Sequence, residues 1–545
     1  MNIRNHIFIV NGVINEALND KTKILDIQIV DYKQCFDSMW LDEVINDLYE
    51  TGVKDDNLVL LYKANEKNRV IVKTPVGETE EIKLEKIILQ GETFGSLQCS
   101  VQVDTLGKEC LSEEKHLYQY KNSVGIPPLG MVDDLLCISE CVLPTVLMNA
   151  YLNVKTSIKK LQFGVDKCHQ IHIGKSSNKC PDLFIDNWKL EKKNEMDTGI
   201  ESLEDILEDE AKMEKVNSDK YLGDIITADG TNDKNVKART DKGYGIIDQL
   251  MDIFRDYSFG PYFFQVAVMF RNSMFINAIL CNSEVWYNLS EANINQLELV
   301  DETLLRRIFE TGVHTPKVML YLELGIYPIR FVIRNRRVMY LHNILANKQS
   351  LQYRVFQAQL KSPCKGDWSS TVSNDLCELG ITLTHQEISR MSKEKFQNVL
   401  KEKIKKSAFE YLISKKEKNK ERSKVKDVNY TNLEIQPYLL PNSLSTKTSE
   451  SIQLCRFVFS LRCMMLQVRE NYKSSYASLN CELCDLHVDS QKNLLICTKL
   501  TEDKCLVASS PTYEDLFSSD VEKQIKIAII LREKFGKRTA LTRKK

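Results

Sequence analysis

Gly130-Met131-Val132-Asp133-Asp134-Leu135-Leu136-Cys137-Ile138-Ser139 sets two adjacent carboxylates inside an otherwise apolar stretch. The apolar halves read as two strands with an acidic tip between them. A β-hairpin tip is the plain structural reading of such a pair, because turns favour Asp. A second stretch bears on it. Ile24–Val30 (ILDIQIV) is a short run rich in β-branched residues, read as a strand, and it ends in Asp31. Adjacent residues of a strand point to opposite faces, so a hairpin is needed to bring both Asp133 and Asp134 near a third carboxylate. If the tip lies beside the end of the Asp31 strand, the three converge. Their repulsion is then tolerable only with cations bound, and hard oxygen ligands imply Mg²⁺. Two such ions about 3.5–4 Å apart, on shared carboxylates, stabilise the attacking and leaving oxygens of phosphoryl transfer.

The neighbouring pattern gives a helix over Leu41–Tyr49 stopped near Gly52, with Val59–Tyr62 continuing as helix. Arg69–Thr74 and Glu80–Leu89 read as paired strands around Pro75 and Gly77, followed by a turn and a mixed stretch to Cys110. Thr145–Leu161 reads as helix and Gln162–Gly174 as strand. The order β-α-β-β-α-β-β predicts an antiparallel α+β sheet domain over about 20–180. The acidic run through Glu201, Glu204, Asp205, Glu208, Asp209, Glu210 and Glu214 reads as a solvated loop or exposed helix. Tyr221–Thr227 is one more short strand, with Asp229-Gly230 a turn. From about residue 235 to 350 the pattern turns helical, clearest over Asn293–Phe309 and Ile329–Leu345. Lys415–Lys426 and the tail ending GKRTALTRKK are basic.

The chain has 545 residues, which predicts roughly three or four domains. A hydrophobic fraction of 43% supports sizeable cores and excludes wholesale disorder. Lys and Arg total 74 against 75 Asp and Glu, so the chain is neither polybasic nor polyacidic, although a local basic stripe remains compatible with nucleic acid. No stretch approaches the ~20 apolar residues of a membrane span, since Phe263–Leu280 is broken by Gln265, Arg271 and Asn272. The N-terminus lacks the pattern of a signal peptide. Sixteen irregularly spaced cysteines in so long a chain read as free thiols of a reducing, intracellular compartment, cytoplasmic or nuclear.

Five segments in order carry a resemblance. Val30-Asp31-Tyr32-Lys33-Gln34-Cys35-Phe36-Asp37 resembles motif A of reverse transcriptases; Gln90-Gly91 with Ser96 resembles motif B; Met131-Val132-Asp133-Asp134 resembles motif C; Gly164-Val165-Asp166-Lys167-Cys168 resembles motif D; Tyr221-Leu222-Gly223 resembles motif E, the primer grip. YLGDIITADG, EVWYNL, YLELGIYPIRFVIRNRRVMYLHNIL and the late cysteines are similar to the region downstream of the polymerase in non-LTR (LINE-type) retrotransposons. The resemblance implies an α+β fold: a polymerase right-hand palm, an antiparallel sheet with packed helices, then a mostly helical thumb and C-terminal region. It implies a remnant of the fingers at 1–20, palm with primer grip at 21–236, thumb at 237–350, a helical and basic connecting region at 351–470, a degenerate CCHC knuckle-like segment at 471–510 and a basic tail at 511–545. Motif A begins about thirty residues in, so the expectation is an N-terminally truncated enzyme with incomplete fingers and no endonuclease.

By resemblance, Asp31, Asp133 and Asp134 hold two Mg²⁺, the Tyr32 carbonyl assists, and Lys167 protonates the departing pyrophosphate. Phe36 lies beneath the incoming sugar and excludes a 2′-OH, while core packing is its plainer role; Gln90 and Gly91 line the nucleotide and template site. Tyr221, Leu222 and Gly223 hold the primer end. The implied activity is RNA-directed DNA polymerisation, with an RNA template, a DNA primer and dNTPs as partners. A catalytically inactive nucleic-acid-binding relic and a globular protein with chance motifs are the other readings.

Cys481 and Cys484 form a C-x-x-C followed by Asn493 and Cys497. This resembles the knuckle of such elements with Asn493 where His is expected, and Asn ligates Zn²⁺ poorly. His487 or Cys505 is a substitute, and both a zinc-binding and a relic site stay open. Cys168, His169, His172 and Cys180 are a second metal-capable group, with ordinary strand residues the plainer reading. Arg330, Arg334, Arg336, Arg337, Tyr340, Arg462, Arg469 and Tyr472 are candidate nucleic-acid contacts or a solvated helix face.

Overall fold

The computed structural model describes residues 2–20, 22–33, 35–66, 69–83, 95–111, 117–159, 161–174, 180–188, 207–256, 259–418, 428–441, 448–500 and 512–543. The class is mixed α+β, and the chain forms two compact units that interleave in sequence. Unit 1 is Met1–Asn235, Glu284–Leu289 and Asn343–Ser373; unit 2 is Val236–Ser283, Ser290–His342 and Asn374–Lys545.

In unit 1 the strands are β1 (Leu25–Asp31), the two-residue strands β2 to β5 (Arg69–Val70, Lys73–Thr74, Gly77–Glu78, Ile82–Lys83), β6 (Tyr118–Tyr120), β7 (Val124–Ile126), β8 (Leu129–Met131), β9 (Asp134–Glu140), β10 (His169–Ile173), β11 (Phe184–Trp188), β12 (Leu207–Lys212), β13 (Glu214–Lys215), β14 (Ser218–Tyr221) and β15 (Asp224–Thr227). The main sheet has the order β13-β10-β1-β9-β8 and is antiparallel except where β10 meets β13. β1 is its central strand. Every residue from Leu25 to Val30 is buried: Leu25, Ile27 and Ile29 lie on one face, and Asp26, Gln28 and Val30 on the other, so the strand carries two polar side chains inside. The helix Val142–Ile158 packs on β9 and β11. The helix Ile3–Asn19, capped by Asn2, is buried along most of its length from His6 to Ala17.

Several expectations change. The mixed stretch before Cys110 is a helix, Gly95–Leu111, whose buried positions include Gln98 and Gln102 beside Cys99 and Val103; polar residues on the inner face erase the apolar periodicity. Tyr221–Thr227 is a hairpin, β14–β15, rather than one strand: Leu222 (φ 47°) and Gly223 (φ 83°) both take left-handed backbone, as a tight two-residue turn requires. Of the acidic run, 207–212 forms strand β12 against β11, and 201–206 lies outside the described residues. Asp134 belongs to a strand instead of the tip.

Unit 2 is helical. Its helices include Glu291–Phe309, opened by a Ser290–Asn293 capping box, Lys317–Leu324, Lys393–Lys418 and Val521–Thr542. Gly325 ends Lys317–Leu324 at φ 63°, and an added Cβ would stand 2.2 Å from the Glu434 backbone, so glycine is needed there for close approach. Arg271, in a π-helical turn, is buried against Asp301.

Candidate active site

Asp31 is the last residue of β1 and Asp134 the first of β9, and the antiparallel register sets them directly opposite each other. Directly opposed side chains share one face of the sheet, with Cβ atoms about 4.5–5.5 Å apart. Met131 pairs with Asp134 across β8–β9, so Val132 and Asp133 form the two-residue loop, with Val132 at φ 61°. The strand pairing therefore brings Asp31, Asp133 and Asp134 to one end of the sheet.

The electrostatics of Asp134 reflect its place there. Burial, reinforced by the charges of Asp133 and Asp31 and opposed by Lys167 and Lys220, pushes Asp134 up to about 6. Lys167 Nζ donates to Asp31 Oδ2 at 3.0 Å from the short helical turn Val165–Lys167. This hydrogen bond raises the lysine above its ordinary value, so it keeps its proton. Gly164 donates its N–H to Asp31 O at 2.8 Å, and a Cβ there would stand 3.0 Å from Asp31 Oδ2. The glycine thus leaves room for the carboxylate.

Tyr32 is buried and its ring stacks on Phe163, with centroids 5.6 Å apart. The Tyr32–Phe163 bridge is made by the amides of Lys33 and Gly164, which leaves the Tyr32 N–H and C=O on its far side. Phe36 sits in the helical turn Cys35–Ser38, and Gln90 and Gly91 lie outside the described residues.

Tyr221 is buried, so its side chain supports the hairpin from within. Its hydroxyl donates to Leu129 O at 2.9 Å, and His6 Nδ1 stands 3.0 Å away. Because the phenol proton goes to Leu129, His6 must donate through Nδ1–H. Burial pushes His6 down to about 4, so it stays neutral. Leu222 and Gly223 form the turn beyond.

Among the described residues, two groups bring metal-capable ligand atoms within 4.8 Å of one another: Cys481 with Cys484 and Cys497, and Asp26 with His172 and Cys180. Asp31, Asp133 and Asp134 are not among these groups. Among the late cysteines, Cys481 and Cys497 sulfurs are 3.8 Å apart. Burial works to raise the Cys484 thiol, but the Leu486 N–H and the neighbouring thiols outweigh it and hold it below its usual value. His487 is outside that group, its carbonyl accepting from Cys481 N at 2.7 Å, and Asn493 donates to Val488 O at 3.0 Å. Cys505 lies outside the described residues.

No family model matches the chain, and no curated protein matches it. Ten chains of solved structures are similar, among them telomerase from Candida albicans in complex with a TWJ fragment of telomeric RNA, at TM-score 0.32 and 12% identity. The match covers 70% of this chain and 53% of that one, about half of the other chain's length.

The group Cys168, His169, His172 and Cys180 divides: His169 and His172, three apart on β10, face opposite ways, and Cys168 lies before the strand at the Asp31 end. Cys168 Sγ approaches Asp31 O at 3.6 Å, and His169 Nδ1 lies 2.7 Å from Asp219. The arginines singled out in the sequence are held by internal partners. Arg330 binds Glu298 at 2.8 Å, Arg337 binds Asp375 at 2.6 Å and Arg462 binds Glu323 at 2.9 Å. Arg334 meets Asp375 and Glu378, Arg336 binds Asn277, and Arg469 binds Glu482. All of these cations except Arg336, whose partners are an amide and a carbonyl oxygen, meet carboxylates, so they are not a solvated basic face. A single sequence shows the arginine and not its distant carboxylate. Gly164 and His6 are the contributors whose roles the sequence hid: Gly164 lies in the same resembled motif as Lys167 without a role, and His6 falls within the resembled fingers remnant without one.

Proposed function

We propose that unit 1 carries a nucleotidyl-transfer centre of the RNA-directed DNA polymerase type, similar to that of non-LTR retrotransposon reverse transcriptases. The observation that carries this is the pairing of Asp31 opposite Asp134 beside a hairpin loop bearing Asp133, with Asp134 pushed up to about 6. A carboxylate raised by burial, with two others beside it adding to the shift, is relieved by divalent cations, and all-oxygen donors suit Mg²⁺. When bound, two Mg²⁺ supply charge neutralisation at the attacking 3′-OH and the leaving pyrophosphate.

Asp31, Asp133 and Asp134 would hold these ions, with the Tyr32 carbonyl on the side left open by its bridge. Lys167, a protonated ammonium at the rim, is suited to give a proton to pyrophosphate. Phe36, Gln90 and Gly91 belong to the nucleotide pocket in this reading. Leu222 and Gly223 offer backbone to the primer end. RNA template, DNA primer and dNTPs are the partners, and the protein acts inside the cell. The domain assignment of palm, thumb, connecting region, knuckle-like segment and tail follows the same reading, with Zn²⁺ at Cys481, Cys484 and Cys497.

The test is extension of a labelled DNA primer on an RNA template by the purified chain with Mg²⁺. Extension that Asp133→Ala lowers by at least a hundredfold supports the reading. Equal extension by Asp133→Ala sinks it. The Lys167–Asp31 ion pair, which neutralises one of the three carboxylates, favours a second reading in which the chain binds nucleic acid without catalysis. Salt-dependent RNA binding with no extension selects that one.

A further inference from the structure

A separate group of metal-capable side chains lies near the start of β1, whereas Asp31 ends that strand. Asp26 is fully buried and sits opposite His172 in the β1–β10 register. Asp26 Oδ1 is 2.9 Å from His172 Nδ1 and 3.8 Å from Cys180 Sγ. One ligand atom from each of the three falls within 4.8 Å of the others.

Zinc takes carboxylate, imidazole and thiolate at about 2.0–2.3 Å in a tetrahedron, which sets ligand atoms about 3.3–3.8 Å apart. The sulfur–carboxylate spacing of 3.8 Å matches the long edge, and the imidazole–carboxylate spacing of 2.9 Å is a hydrogen bond that an ion would open by a few tenths of an ångström. The carboxylate is also oriented from outside: Gln170 Nε2 donates to Asp26 Oδ1 at 2.9 Å, and Thr145 Oγ1 to Oδ2 at 3.3 Å. Hydrogen bonds of this kind fix metal-binding carboxylates. His172 Nε2 and Gln170 Oε1 are buried without a hydrogen-bond partner, so the cluster holds polar capacity that its protein neighbours leave unused.

Charge points the same way. A wholly buried carboxylate is costly unless balanced. Zn²⁺ with the Asp26 carboxylate, a Cys180 thiolate and a neutral His172 sums to zero. A sulfur and a nitrogen among three donors favour zinc over Mg²⁺ or Ca²⁺.

We propose that Asp26, His172 and Cys180 are the three protein ligands of a Zn²⁺ site, its fourth position left to water, that ties the start of β1 to the end of β10 and to the chain entering β11. The site is independent of the polymerase reading and of the Cys481–Cys484–Cys497 group.

The test uses the full chain with the late cysteines disabled by Cys481→Ser and Cys484→Ser, so that any remaining site is read alone. The metal-stripped protein is titrated with Zn²⁺ and, in parallel, with Co²⁺. The expected result is one equivalent of zinc bound, a rise in melting temperature, and a thiolate-to-cobalt charge-transfer band. Adding Cys180→Ser or His172→Gln is expected to remove the equivalent and the thermal shift, and Cys180→Ser the band. No charge-transfer band in the parent double variant overturns the proposal, and so does a zinc shift that persists after Cys180→Ser. If the added substitutions prevent folding, the cobalt spectrum of the parent double variant decides alone.

Discussion

Asp134 is the residue of the candidate site whose carboxyl folding raises. Its carboxyl sits at about 6 in the folded chain, against 3.8 ordinarily. The sign of its effect follows. An acid raised by folding binds its proton more readily in the folded state, so that stabilisation is complete below pH 3.8 and is lost as pH rises through about 6. In EDTA, melting temperature is expected to carry a component that falls from pH 4 to 6. Asp134→Asn removes the buried charge, so it is expected to melt higher than the native chain at pH 7 without metal and to lose that component. Magnesium is expected to stabilise the native chain more at pH 7 than at pH 5, and Asp134→Asn less at both. A native melting profile flat across this range with EDTA contradicts the reading. None of this could be seen in the Asp133-Asp134 dipeptide, which is equally at home in a solvated turn.

At the scale of elements, the β8–β9 hairpin is held from below by another. Tyr221, at the end of β14, donates to Leu129 on β8 and receives from His6 on the helix Ile3–Asn19. Tyr221→Phe leaves the His6 donor and the Leu129 carbonyl without this partner in a buried place. The expected cost is ~1–3 kcal/mol, read from urea melts. His6→Leu removes the donor while keeping the Tyr221–Leu129 bond, so the cost of Tyr221→Phe is expected to be smaller in that background. Equal costs in both backgrounds would show that His6 is not coupled to the latch. The resembled primer grip is therefore a hairpin with its tyrosine turned inward. That orientation depends on the Leu222-Gly223 turn, and the sequence YLGDIIT reads as one strand because its apolar residues run through the turn. The helix Gly95–Leu111 was hidden for the opposite reason, since its inner face carries Gln98 and Gln102.

At the scale of the molecule, unit 1 is completed by segments far along the chain. Trp286 donates to Asp224 at 3.2 Å, Trp368 donates to Glu284 O at 2.7 Å, and Phe8 packs edge-on against Trp368. Lys121 is buried with Asp367 at 2.9 Å. A fragment of residues 1–235 loses these partners and leaves Lys121 without Asp367. Removing one buried tryptophan side chain costs ~3–5 kcal/mol, a large fraction of a domain's net stability. Such a fragment is expected to lack a cooperative melt by circular dichroism, whereas the full chain shows one. A cooperatively folding fragment would mean that the distal segments decorate the unit instead of completing it.

What the sequence determined by itself is local: the β-branched strand ending in Asp31, the hairpin around Asp133 and Asp134, and the helices of unit 2, each written in a periodicity of a few residues. Tertiary structure decided which side chains meet. It placed Asp134 opposite Asp31, turned Tyr221 inward, gave the arginines their carboxylates, and joined His172 and Cys180 to Asp26 while separating them from Cys168 and His169. The reason is physical. Strand and helix patterns follow from neighbours along the chain. Burial, pairing and charge depend on partners that folding brings from tens or hundreds of residues away.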